Sequence, residues 1–212
     1  MTAAGHNASD SGRPWRGLSP VERRDARRQR LLDAGLDLFG TDGYAATSLT
    51  ALCATGAVSP RHFYELFPGR EQLLSEVYDA LVTETVRRVR EAQQAAPATV
   101  EAQVRAGLEA AVGWLTGDPR RARIVLLEIS GVSPALDAHR REVIRGFAAV
   151  IEAGHSRLAT AGQVRDRPFG QVSVGVVGAI NELLVEWLLA DPRPAPETVL
   201  PPLVDILTAV FP

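Results

Sequence analysis

Apolar residues recur at three-to-four-residue spacing along most of the chain, and the interruptions fall on serine-proline, aspartate-proline and glycine signals. Ser19-Pro20-Val21-Glu22 combines an N-cap serine, proline at the first helical position and glutamate three residues after the cap, the pattern of a capping box. The helix it opens carries Leu31, Leu32, Leu36, Leu38 and Phe39 and stops at Gly40-Thr41-Asp42-Gly43. A second helix starts at Thr47 or Ser48, whose hydroxyls can cap it, and runs through Leu49, Leu52 and Cys53 to Gly56. Ser59-Pro60 then repeats the cap-plus-proline signal ahead of Phe63, Tyr64, Leu66 and Phe67, before Pro68-Gly69 ends the run. Two short helices joined by a tight glycine-containing turn are the outline of a helix-turn-helix. From residue 70 a long helix is predicted to about residue 94, with Leu73, Leu74, Val77, Tyr78, Leu81 and Val82 as its stripe.

Further helices are predicted over about 99–116, 119–130, 134–161, 168–190 and 196–210. No segment alternates with a period of two between hairpin signals, and the β-branched run at 172–177 continues into a leucine-rich helical pattern. The fold class is therefore all-α. The chain divides into an arm at 1–18 expected to be disordered, a three-helix helix-turn-helix domain at 19–70, and a helical domain at 71–212.

Composition narrows the function. The chain has 212 residues, 46% of them hydrophobic, which is enough for a sizeable core without disulfide or metal staples. Cys53 is the lone cysteine, so an internal disulfide and a cysteine-based zinc site are both excluded. Residues 1–12 show no apolar leader, and the apolar stretch at 172–190 is interrupted by Asn181, Glu182 and Glu186. A cytoplasmic location without a membrane partner is expected. The overall charge of −2 hides an asymmetry: residues 1–70 carry nine arginines against seven acids, and five of the nine lie within 23–30. That cluster is either a phosphate-facing surface or a solvated helix face.

Residues 27–78 supply a more specific signal. Leu31-Leu32, Ala34, Phe39, Gly43-Tyr44, Thr47, Leu52, the turn Gly56-Ala57-Val58-Ser59, Phe63-Tyr64, Phe67 and Arg70-Glu71-Gln72-Leu73-Leu74 closely resemble, in register, the DNA-binding domain of TetR-family (tetracycline-repressor-like) transcriptional regulators. The resemblance implies a homodimeric repressor that binds an inverted-repeat operator in double-stranded DNA and is released by a small-molecule effector bound in the C-terminal domain.

A recognition helix presents its first residues to base edges in the major groove. Here those residues are Ser59, Pro60, Arg61 and His62; arginine can bind guanine through two hydrogen bonds, and the proline surface can meet a thymine methyl. Tyr64 resembles the family's phosphate-contacting tyrosine, and Thr47 or Ser48 can reach the DNA backbone from the start of the second helix. Arg70 stands where the family usually has a phosphate-contacting lysine. Cys53 stands where alanine is common, and a buried packing role fits it better than redox sensing.

The family's effector cavity implies contacts from Trp114, Leu126, Phe147, Ile151, Val177, Asn181 and Leu184, with His155 and Glu128 as polar candidates. Gly175 and Gly178 allow close approach of another helix, and Leu183, Trp187 and Leu188 add burial area, so this segment is also the candidate dimer interface. Two other readings compete. An enzyme is disfavoured because there is no paired His/Cys metal spacing, no phosphate-cradling glycine loop and no nucleophile motif, and no cofactor is implied. A DNA-binding dimer that takes no small molecule is separable by its core, which would be filled.

Overall fold

The computed structural model describes residues 19–210, and all regular structure among them is helical. The arm assigned to 1–18, with Arg13 and Arg16, lies outside the described residues. Helix α1 spans Pro20–Thr41, α2 Leu49–Thr55, α3 Pro60–Tyr64, α4 Arg70–Ala95 and α5 Val100–Thr116. Next come α6 (Pro119–Arg123), a π turn (Ile124–Glu128), α7 (Pro134–Thr160), α8 (Gly170–Leu189), a 3-10 turn (Pro196–Val199) and α9 (Leu200–Ala209).

The capping chemistry explains most of the boundaries. Ser19 and Glu22 form the reciprocal box, with Glu22 accepting the Ser19 N–H at 2.6 Å and Ser19 Oγ accepting the Glu22 N–H at 3.2 Å. Ser48, Ser59, Thr99, Asp118 and Ser133 each accept a first-turn N–H of the helix they open. The turn between α2 and α3 differs from expectation: Gly56 has ordinary φ, and Ala57 takes the left-handed conformation at φ 49°. Gly56 is needed for contact instead, since a Cβ there would meet the Arg30 carbonyl oxygen and a Leu31 methyl at 3.2 Å.

The helix expected over 119–130 widens into a π turn, and its burial pattern gives the reason. Ile124 joins a core built from α1–α4, whereas Leu126 joins a core built from α5, α8 and α9; Val125 packs against both. The extra residue per turn points neighbouring side chains into two different cores. The last helix is likewise split, because Pro201 and Pro202 lack the N–H donors to continue the 3-10 turn's ladder and instead open α9.

Helix α4 is common to both halves. Its first half buries Leu73, Leu74, Val77, Tyr78 and Leu81 among α1–α3 residues, and it then runs on beside α5. Helix α8 is apolar enough by length and composition to cross a bilayer. In this fold it buries Val176, Val177, Leu184, Trp187 and Leu188 against neighbouring helices.

Candidate nucleic-acid interface and effector cavity

The third helix is short but firmly seated. Phe63 is fully buried, with its ring 5.8 Å from that of Phe67 and 5.7 Å from that of Tyr64. This anchoring leaves Pro60, Arg61 and Tyr64 exposed on the opposite side. The Arg61 side chain is 87% exposed and is held by Glu65 at 3.2 Å, a weak tether in water. His62 is half-buried, with Nδ1 3.0 Å from Ser59 Oγ, so the capping serine also fixes the ring. Ser48 is exposed and caps α2 through the Ala51 N–H at 3.1 Å.

Two expected phosphate contacts are turned inward. Thr47 is buried, and its hydroxyl donates to the Gly43 carbonyl at 2.7 Å, which removes it from a surface role. Arg70 is half-buried; its guanidinium donates to the carbonyls of Tyr44 (3.2 Å) and Thr47, and lies 4.9 Å from the Tyr44 ring centroid. It clamps the 44–47 loop that carries the start of α2. Within the arginine cluster, Arg28 pairs with Glu76 of α4, and Arg30 Nε donates to the Gly56 carbonyl at 3.1 Å. These two arginines therefore serve internal contacts. Burial raises the Cys53 thiol pKa, which suits a packing role and opposes thiolate chemistry.

Between α4, α5, α7 and α8 lies a cavity of about 170 Å³. Phe147, Ile151, Val177, Asn181 and Leu184 line it. Trp114, Leu126 and His155 do not. Trp114 has the guanidinium groups of Arg88 and Arg121 packed on its ring, at 4.2 and 3.6 Å from the centroid. Leu126 is buried in the second core, and His155 is buried with its ring stacked on Phe169 at 4.0 Å. Glu128 is engaged with the N-terminal half, as described below.

The fourth wall comes from α4, through Val82, Thr85, Val89 and Gln93, and Leu207 of α9 adds to the lining. Those α4 residues continue the helix's apolar stripe beyond Val82 at intervals of three to four, so the wall was legible as periodicity though not as a cavity. Gln93, Gln103 and Arg157 are further lining residues that sequence reasoning missed.

The π turn and α6 join the cavity to the N-terminal half. Val125 lines the cavity, and three residues on, Glu128 accepts the Tyr44 N–H at 2.8 Å. Arg123 donates to Glu128 at 2.8 Å and to the Thr41 carbonyl at 2.9 Å, while Arg120 bridges Asp37 at 3.0 Å and Asp118 at 2.8 Å. Hydrogen bonds from the Arg120 side chain hold the Asp118 carboxyl below its ordinary pKa. Two glycines permit the approach. A Cβ at Gly40 would lie 2.4 Å from Arg120 Cβ, and Gly43, at φ +90°, would place one 3.1 Å from a Glu128 carboxylate oxygen.

On the face expected to meet a second copy, Gly175 and Gly178 are exposed, with open space where their side chains would be. Leu183 is partly buried against the second core. Trp187 is not available to a partner: it is buried within the chain, and its Nε1 donates to the Pro194 carbonyl at 2.9 Å. Among the described residues, no group of His, Cys, Asp and Glu side chains is placed to hold a metal ion.

A family model described as "Bacterial regulatory proteins, tetR family" matches residues 31–77. Among solved structures, the fatty acid degradation regulator FadR from Bacillus halodurans superposes with a TM-score of 0.78 at 16% identity, covering 90% of this chain and 96% of its own. FadR from Bacillus subtilis, solved in complex with stearoyl-CoA, gives 0.77 at 16% identity, with 87% and 99% covered. The TetR-family regulator PfmR from Thermus thermophilus gives 0.65 at 19% identity, with 90% and 97% covered. Comparison with curated protein sequences finds no match. Residues 31–77 thus match the tetR-family helix-turn-helix model, and the chain as a whole has the fold of solved TetR-family transcriptional regulators.

Proposed function

We propose that this protein is a ligand-responsive transcriptional repressor that binds an inverted-repeat operator as a homodimer and releases it when a small apolar molecule enters the cavity. Residues 19–70 supply DNA binding in this reading, and residues 71–212 supply effector binding and dimerisation. The carrying observation is that one short element touches both sites: Val125 lines the cavity, and Glu128 holds the backbone of the 41–44 loop. An effector that favours a different position of the π turn shifts the helix-turn-helix by its differential affinity for the two states.

Arg61 and His62 set base choice in this proposal, Ser59 and Pro60 shape the approach, and Ser48 and Tyr64 meet the backbone. The open face of α8 at Gly175 and Gly178 receives the second copy. The cavity supports an effector over a regulator without one. A cavity of about 150 Å³ walled by aliphatic side chains stays dry and accepts a benzene-sized guest, and the one here, at about 170 Å³, is of that size. The likeness to the FadR regulators, one of them solved with stearoyl-CoA, favours an acyl compound as the effector.

Selection of DNA fragments by the purified full chain across a salt series tests the reading. An enriched inverted repeat, bound more weakly as salt rises, is expected. A failure to enrich any sequence after a denature-and-refold step that strips copurified ligand overturns it.

A further inference from the structure

The cavity has a polar end of one sign. Gln93 and Arg157, in the C-terminal parts of α4 and α7, and Gln103, in the first turn of α5, are lining residues, whereas Val82, earlier in α4, Leu115, at the C-terminal end of α5, Val125 of the π turn and Phe147, midway along α7, supply apolar lining. Gln93 lies 23 residues along α4 from its start, roughly 34 Å at 1.5 Å per residue. Arg157 is the lone charged residue among those lining the cavity, and no carboxylate is among them. Its environment differs from that of the arginines on the adjoining helices. Arg87 and Arg88 are tied to Glu84, and Arg105 to Glu101, whereas Arg157 has no ion pair among the described residues. Asn181, also a lining residue, likewise has a side-chain amide with no hydrogen-bond partner among the described residues.

We propose that the effector is a single-chain anionic amphiphile, with its apolar chain in the cavity and its negative head at Arg157. This deepens the effector reading above and rests on it. A guanidinium facing an apolar bore attracts a carboxylate or phosphate and repels an ammonium, since a cation entering here would find no carboxylate to neutralise it. Arg157 is exposed, so the head sits at the mouth in contact with water and is free to be larger than the bore. Gln93 and Gln103 add neutral donors and acceptors beside it.

Calorimetric titration of the full chain at neutral pH with decanoate, decan-1-ol and decylammonium separates the possibilities at constant chain length. Decanoate is expected to bind about tenfold more tightly than the alcohol, the value of one charge-assisted hydrogen bond, and the ammonium most weakly. Arg157→Gln removes the preference of acid over alcohol; Arg157→Glu reverses the order of acid and ammonium. Both substitutions are at an exposed position, and unchanged circular dichroism verifies folding. Decanoyl-coenzyme A distinguishes the source of the charge: binding tighter than decanoate assigns the head to phosphates outside the mouth, and weaker binding assigns it to a free carboxylate. Equal binding of acid, alcohol and ammonium, or an acid preference that survives Arg157→Gln, overturns the anionic assignment alone. No binding by any of these ligands overturns the effector cavity itself.

Discussion

Glu128 and Tyr44, 84 residues apart in sequence, are joined by a 2.8 Å hydrogen bond from the Tyr44 backbone N–H to the Glu128 carboxylate. The same carboxylate holds Arg123, which in turn reaches the Thr41 carbonyl, so one side chain of the π turn fixes the end of α1 and the loop leading to α2. Glu128→Ala leaves a part-buried N–H without its acceptor and a displaced guanidinium, and is expected to cost about 1–3 kcal/mol of stability. Glu128→Gln keeps an acceptor for the N–H and costs less. Amide hydrogen exchange gives the local readout: Tyr44 should exchange faster in Glu128→Ala than in the parent protein. An unchanged Tyr44 rate would show that this bond does not hold the loop.

Arg70 has been given a structural task by the fold. Its guanidinium donates to two loop carbonyls and lies over the Tyr44 ring, so removal should act mainly through the position of α2 and α3. Arg70→Ala is expected to lower the denaturation midpoint by an amount equivalent to about 1–3 kcal/mol, and to weaken operator binding with little change in the slope of log affinity against log salt. Arg70→Lys keeps the charge but loses the fork that reaches both carbonyls, and should recover only part of the stability. A slope that flattens by about one unit in Arg70→Ala, with stability unchanged, would return Arg70 to direct phosphate contact.

Arg61 is the opposite case. It is 87% exposed and tied only to Glu65, so nothing in the folded chain depends on it. Arg61→Ala should leave stability within about 0.5 kcal/mol and reduce discrimination at one operator base pair by about 1–3 kcal/mol. Tyr64→Phe should weaken all operator variants alike. Binding to a panel of single-base-pair operator variants tests both. Uniform loss of affinity in Arg61→Ala would remove it from base reading.

The N-terminal half was legible because its signals are local: Ser19 with Glu22, Ser48 and Ser59 all cap the helices that their neighbours in sequence announced. The helical periods of the C-terminal half were legible for the same reason. Side-chain destinations were not, because they depend on contacts distant in sequence. Thr47 and Arg70 read as surface donors until the loop carbonyls and the Tyr44 ring are brought beside them. Trp114 lies on an apolar stripe, yet two arginines from α4 and α6 pack on its ring. Glu128 lies at the end of an apolar run, and only the unexpected π turn aims it at Tyr44. Arg157 resembles any other exposed helix arginine in sequence, and its significance comes from which helices enclose the space beside it.

Trp187 and Gly178, on the same helix, let folding and the proposed dimerisation be tested separately. Trp187 is 4% exposed, donates to the Pro194 carbonyl and has the Arg193 guanidinium 5.2 Å from its ring centroid, so it ties α8 to the segment that follows it. Trp187→Asp would replace this packing with a void and a buried carboxylate, and a cost of at least about 3–5 kcal/mol should unfold the chain rather than yield a folded monomer. Gly178 faces open space, where an arginine fits without disturbing any neighbour. Gly178→Arg is therefore expected to retain the parent circular dichroism spectrum and thermal stability of the isolated subunit while changing the light-scattering mass from dimer to monomer. Operator affinity should fall with it, because two recognition helices are no longer held one helical turn apart. A dimeric mass for a folded Gly178→Arg protein would place the twofold contact on a different face.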